Sequence, residues 1–462
     1  MLKVHQVVKI LAIPCSFFSK REKVWLSHFC HLGLPTTLDI QDFVMIKQEI
    51  NSIYTDGQII KSADDLDAYC INMMQVAWSR FATTEVEYEF RCRSDENLSS
   101  LLPEITSQIN MLESVMFTDD QIAHLSLLGY LDNNFLHFLR DFTFDPKRYV
   151  RVFIEDNQLA IKIKGPFVKT ILFEIPILSI VSEVRNRARF PAATAEHVRK
   201  VLFEKVEYLK SEIKSRGLEG RYKLAEFGTR RRLSAAVQHH VVEYLAKELP
   251  GVFIGTSNHH LAREFNVPPI GTMSHGYLQS FQAIVHPRDS QRVALETWNN
   301  EFRGRLGIAL TDCITTDAFL EDFDYMLATL YSGVRQDSGD EIEWGEKMTA
   351  HYKKLGIDGK SKNYVFSNGL DFERSLNVCE HFTVKTEKMN ETSFGIGTFL
   401  SNDLGDYINE QGTTYKPLSI VIKMVECNGR PVAKISDDEG KSMCNDAQYM
   451  AYLRKSFGLK YD

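Results

Sequence analysis

Apolar and polar residues along this chain change rhythm near residue 222. Before that point, Val86-Glu87-Tyr88-Glu89-Phe90 alternates with the two-residue period of a half-buried strand. The runs Tyr149 to Ile154 and Leu159 to Ile163 flank Glu155-Asp156-Asn157-Gln158, a polar tetrad suited to a hairpin turn. Phe167 to Val181 is nearly continuously apolar, and the spacing predicts a long polar helix from Ala195 to Lys214.

Beyond residue 222, short apolar runs that end in polar loops alternate with amphipathic stretches. Val252-Phe253-Ile254 leads into Gly255-Thr256-Ser257-Asn258, Gly307 to Leu310 into Thr311-Asp312, and Tyr364-Val365-Phe366 into Ser367-Asn368-Gly369. Leu233, Ala236, Val237, His240, Val241, Tyr244 and Leu245 have helical spacing. Strands alternating with helices predict parallel βα units. An irregular α/β barrel is preferred to a doubly wound open sheet, which would give the same alternation. In a barrel, the loops after the strands converge on one face. The expected organisation is an atypical N-terminal extension (1–55), a mixed α+β domain (56–180) and a catalytic α/β barrel (181–462). The C-terminal segment is a candidate to return to the mixed domain.

Net charge is −7, from 54 basic and 61 acidic residues, which argues against a general nucleic-acid or membrane-surface binder. Phosphate binding would then rest on local basic clusters. The eight cysteines form no CxxC pair and read as reduced thiols, as in the cytoplasm. No run of about 18 uncharged apolar residues is present. Val7 to Phe18 is apolar apart from Lys9, but Pro14-Cys15 is a poor cleavage context, so an accessory extension or a start codon placed too far upstream is expected rather than a signal peptide.

Several loops carry chemistry. In Glu226-Phe227-Gly228-Thr229-Arg230-Arg231-Arg232, three arginines at a helix start call for an anion. Arg335-Gln336-Asp337-Ser338-Gly339-Asp340 offers a carboxylate clamp in Arg335, and in Asp337 and Asp340 two acids for ribose hydroxyls or magnesium. Ser393-Phe394-Gly395-Ile396-Gly397-Thr398 is small enough for backbone N–H groups to approach a phosphate. His275, in Gly271-Thr272-Met273-Ser274-His275, would serve as a nucleophile if neutral and oriented by a partner. The pairs His239-His240 and His259-His260 lack metal-site spacing, because neighbouring helical residues point in different directions.

Each motif alone is an ordinary turn. Together with Asp65-Leu66-Asp67-Ala68-Tyr69, Met73-Met74-Gln75, Phe90-Arg91-Cys92-Arg93, the Leu306 to Thr315 stretch, Lys416 to Lys423 and Val432 to Ser436, they resemble the nicotinate phosphoribosyltransferase family, bacterial type, from about residue 59 onward. The resemblance implies transfer of phosphoribose from phosphoribosyl pyrophosphate to nicotinate, giving nicotinate mononucleotide for NAD salvage. It also implies ATP coupling, a magnesium requirement and a homodimer. It makes His275 a transiently phosphorylated histidine and Phe227 the ring that stacks on the pyridine. Tyr69 would close that sandwich from the partner subunit. Arg230 and Arg335 would lie near the pyridine and phosphates, with Thr229 and Thr256 on the same loops. Asp337, Gly369 and Asp371 would lie around ribose, and Gly395, Gly397 and Thr398 would form the phosphate loop. Lys423 and Lys434 would bind pyrophosphate or ATP phosphates.

Ser257 stands where related nicotinamide-using enzymes carry an acid, which favours nicotinate. On this ground Ser257→Asp is expected to shift preference toward nicotinamide. Three positions depart from the family pattern: Gly276 replaces a usual Glu, Cys70 a frequent Lys, and Gln336 a frequent His. The competing readings are a quinolinate-using enzyme, a nicotinamide-using enzyme and a catalytically silent protein of the same fold.

Overall fold

The structure, a computed structural model, describes residues 53–438 and 442–459. The leader-like Val7 to Phe18 stretch, with all but the last residues of the 1–55 extension, lies outside the described residues.

Two sheets organise the chain. The first contains β1 (Glu85–Cys92), β2 (Val150–Glu155), β3 (Gln158–Pro166), β10 (Ile420–Cys427) and β11 (Arg430–Pro431), in the order β11-β10-β1-β3-β2. All its pairings are antiparallel. Val86, Tyr88 and Phe90 are buried, as their alternation predicts, and Tyr88 lies opposite Ile163. β10 carries no such alternation because it is buried along most of its length, and an inner strand reads as a continuous apolar run. Its register places Lys423 opposite Glu89.

The second sheet has β4 (Tyr222–Glu226), β5 (Phe253–Thr256), β6 (Ile308–Leu310), β7 (Gly333–Gln336), β8 (Asn363–Phe366) and β9 (Thr392–Ile396). Its order is β5-β4-β9-β8-β7-β6 and every pairing is parallel, as the βα alternation predicts. Its two edge strands do not pair with each other. The segment 268–272 bonds to both instead. Thr256 N–H donates to Pro268 O (3.3 Å) and Ile270 N–H to Thr256 O (2.8 Å), while Thr272 Oγ1 donates to Ile308 O (2.8 Å). Pro268 and Pro269 lack the N–H that a ladder requires, so this side of the irregular wall has no continuous strand.

The Glu174–Arg189 helix packs against the loop that follows β4. Its buried polar residues 179, 182 and 186 fall at i, i+3 and i+7, along one face. Ser179 Oγ donates to Thr229 O (2.7 Å), Ser182 Oγ to Arg232 O (2.8 Å) and Asn186 Nδ2 to Leu233 O (3.0 Å). Thus the buried polar face of this helix fixes the arginine-rich loop.

His259 and His260 point apart, as adjacent helical residues must. His260 pairs with Asp64 (3.3 Å), and His259 is 1% exposed with neither ring nitrogen hydrogen-bonded. Burial pulls His259 down to about 4, against the opposing charge of Asp64. Its folded value lies below the unfolded one, so its contribution to stability is present above the unfolded value and lost as pH falls through it. His259→Phe is therefore expected to flatten the pH dependence of unfolding, removing about 2 kcal/mol of the loss between pH 7 and pH 5. Denaturant melts at both pH values check this; an unchanged slope would contradict it.

Among the described residues, no helix is long and apolar enough to cross a membrane.

Candidate active site

The ends of β4, β6 and β7, the start of the His275–Ile284 helix and the strand β10 bring ionisable groups together. His275 is the first residue of its helix and is 4% exposed. Its Nε2 lies 2.9 Å from Asp312 Oδ1 and 3.9 Å from Asp337 Oδ2. Asp312, two residues beyond β6, also accepts from Ser338 Oγ (2.7 Å) and from Lys434 Nζ (2.7 Å). Burial alone would raise its carboxyl, but His275 and Lys434 hold it well below the usual carboxylate range. Burial, helped by Lys434, pulls His275 down to about 4, so the imidazole is neutral at pH 7. An ionised Asp312 accepts the proton at Nε2, which leaves the lone pair on Nδ1.

The cations are crowded. Burial first, then Lys434 and Arg230, pull Lys423 down to about 8. Burial, Arg230 and Arg93 pull Arg231 down to about 9, and burial with Arg230 also lowers Arg93. Arg335 has its Nε buried without a hydrogen-bond partner. This concentration of positive charge at the ends of β4 and β7 is suited to anions. The three consecutive arginines do not open a helix as expected. They lie in and just after a 3-10 turn (Thr229–Arg231), and the following helix starts at Ala235 with Ser234 as its cap. Arg232 has an internal anion, Asp65, bound through both guanidinium nitrogens at 2.7 Å, and Arg231 Nε donates to Ile420 O (3.0 Å).

Phe227 is seated by the glycines of the following loop. A side chain at Gly395 would collide with the Phe227 ring, and one at Gly397 with its carbonyl. Tyr69, half-buried at the start of the Ala68–Arg80 helix, lies within electrostatic reach of Glu174 and Arg230. Thr229, Thr256 and Ser257 are all buried and hydrogen-bonded inside the protein, Ser257 Oγ donating to Asp67 Oδ1 (2.6 Å). An acid placed at 257 would meet Asp67, which burial already raises.

Other expected residues lie apart from this cluster. Asp340 and Asp371 cap helices, accepting from Glu343 N–H (2.9 Å) and Arg374 N–H (2.8 Å). Gly369 takes a left-handed φ of +59° beside Asp371, and Thr398 opens a four-residue helix. Ligand atoms of His275, Asp312 and Asp337 lie within 4.8 Å of one another. Asp312 is spent on three donors, and His275 Nε2 is bonded to it. Asp337, 32% exposed and accepting from Ser367 Oγ (3.1 Å), is therefore the carboxylate of the three left free to hold a divalent cation.

Sequence reasoning missed Asp312, Glu174, Asp67 and Glu226. Asp312 was within reach, since an acid just past a barrel strand sits on the active face. Glu174 was also signalled, as one of very few charges in an otherwise apolar run.

Residues 222–461 match the model of the nicotinate phosphoribosyltransferase (NAPRTase) family, and residues 65–182 that of the NAPRTase N-terminal domain. The chain belongs to the nicotinate phosphoribosyltransferase family. A nicotinate phosphoribosyltransferase of Vibrio parahaemolyticus is 48% identical over 412 residues, 88% of this chain and 93% of the relative. One of Ectopseudomonas mendocina is 47% identical over 408 residues, 88% of this chain and 98% of the relative. The crystal structure of the Vibrio cholerae enzyme superposes with a TM-score of 0.86 at 47% identity, covering 89% of this chain and 96% of that one. That of the Porphyromonas gingivalis enzyme gives 0.78 at 30% identity, covering 87% and 100%. Gly276, where the family pattern has an acid, leaves His275 with an orienting carboxylate nonetheless, because Asp312 supplies it from β6.

Proposed function

We propose that this protein transfers phosphoribose from phosphoribosyl pyrophosphate to nicotinate, coupled to ATP through phosphorylation of His275. The observation that carries the reading is the buried triad of His275, Asp312 and Lys434, a neutral imidazole fixed in one tautomer beside a cation. Nδ1 attacks the γ-phosphoryl group of ATP, the bond to the β-phosphate oxygen breaks and ADP leaves, and Asp312 stabilises the charge that develops on the ring; water later takes the phosphoryl group from His275 as inorganic phosphate. Lys434 and Lys423 hold the phosphate oxygens. Magnesium, bound at Asp337 and the phosphates, would neutralise developing charge on those oxygens.

The pyridine lies against Phe227, Tyr69 closes the sandwich from the partner subunit, and Arg230 faces its carboxylate. As pyrophosphate leaves, positive charge grows on the ribose carbon, and Asp337 is the acid placed to offset it, with Asp371 farther out on the ribose side. Arg335 and Arg93 draw the pyrophosphate. Gly395, Gly397 and Thr398 border the phosphate side while seating the Phe227 ring. The nicotinate nitrogen is itself nucleophilic, so no general base is needed. The product is nicotinate mononucleotide, an entry to NAD. A homodimer belongs to this reading through the family, and six free cysteines among the described residues support a reducing, cytoplasmic setting.

Offering nicotinate, nicotinamide and quinolinate in parallel, each with phosphoribosyl pyrophosphate, Mg²⁺ and ATP, tests the substrate. Nicotinate is expected to be consumed far faster than the other two. Preference for nicotinamide would move the assignment to the amide, and release of CO₂ from quinolinate would overturn it.

A further inference from the structure

Behind Phe227 lies a polar network closed off from water. Glu226, the last residue of β4, is fully buried, as are Gln238, Thr229, Thr256 and Asn258. Its Oε1 accepts from Gly228 N–H (2.5 Å), its Oε2 from Thr256 Oγ1 (2.7 Å), and Gln238 Nε2 approaches both oxygens (3.2 and 3.0 Å). Every neighbour is a donor, and the donors cannot reverse. Gln238 is held in its orientation because its Oε1 accepts from Arg232 (3.1 Å). The Thr256 hydroxyl oxygen accepts from Asn258 N–H (3.2 Å), which turns its hydrogen toward Glu226. Thr229 Oγ1 accepts from Gln238 (2.9 Å) and Asn258 (3.3 Å). Asn258 Nδ2 also reaches Asp65 (2.7 Å).

Glu226 is thus the acceptor that joins three segments: its own loop with Phe227, the Gly255 to Asn258 loop, and the Ala235–Glu248 helix. We propose that Glu226 is a positioning residue that fixes the Phe227 loop against the Thr256 loop, and thereby sets the affinity for nicotinate without touching it. The inference rests on the reading of Phe227 as the pyridine wall. Among the described residues, His275, Asp312, Lys423 and Lys434 share no hydrogen bond with this network, so the phosphoryl chemistry is expected to be untouched by it.

Glu226→Gln keeps the volume but puts an NH₂ among donors, which leaves one contact repulsive. Thr256→Val removes the same link from the opposite loop. In the intact protein, each variant is expected to raise KM for nicotinate about tenfold. KM for phosphoribosyl pyrophosphate and for ATP should stay within about twofold of wild type. The double variant should be no worse than either single one, as for two ends of one contact. Equal losses for all three substrates, or a double variant whose losses multiply, would overturn the proposal. If Glu226→Gln fails to fold, Thr256→Val alone decides, since an unchanged KM for nicotinate in it also overturns the proposal. Wild-type protein that makes no nicotinate mononucleotide would instead refute the substrate reading.

Discussion

Asp312→Ala is expected to cost about 3–5 kcal/mol of folding stability and to cut ATP-coupled turnover about 100-fold or more. Both losses have the same origin. The Asp312 carboxylate is 1% exposed and takes three donors from three segments, His275, Ser338 and Lys434. Removing it leaves Lys434 as a buried cation without its counter-charge, the condition that makes breaking an interior ion pair expensive. It also frees the His275 ring to turn, so that neither nitrogen is held as the nucleophile. Denaturant unfolding together with ATP hydrolysis in the presence of nicotinate measures both effects. Asp312→Asn separates them, because an amide keeps the volume while losing the charge. It should recover part of the stability and little of the turnover. A fully active Asp312→Ala protein would show that the triad does no chemistry.

His275→Ala should remove the ATP dependence without removing the transfer itself. In the proposed sequence the histidine carries the phosphoryl group, whereas nicotinate attack on ribose needs only a positioned nitrogen and a held leaving group. Labelling with γ-labelled ATP is expected to give an acid-labile phosphoenzyme in the wild type and none in the variant. Nicotinate-stimulated ATP hydrolysis should fall about 10³-fold or more, and a slow ATP-independent formation of nicotinate mononucleotide should persist. Label retained in the variant would move the acceptor to another residue.

The parallel βα units were legible because strands ending in polar loops leave a pattern in a single sequence. The alternation at Val86 to Phe90 identified β1 for the same reason. β10 was not legible as a strand, since an inner strand buried on both faces loses its two-residue period. Nor was the break at Pro268-Pro269, where the sheet edges meet through a segment that cannot form a ladder. In the site, the motifs located His275, Arg230 and Asp337, yet not the groups that set their states. Asp312 and Glu174 act through burial and pairing with residues distant in the chain, information that no local spacing holds. The glycines of the SFGIGT loop were read as room for a phosphate. In the structure their missing side chains first make room for Phe227.

Following nicotinate mononucleotide from purified protein, nicotinate, phosphoribosyl pyrophosphate and Mg²⁺, with and without ATP, decides whether transfer is coupled through His275. Product is expected in both mixtures, with a strong enhancement by ATP. Product formed equally well without ATP would contradict the coupling through His275, and no product in either mixture would contradict the proposed reaction itself.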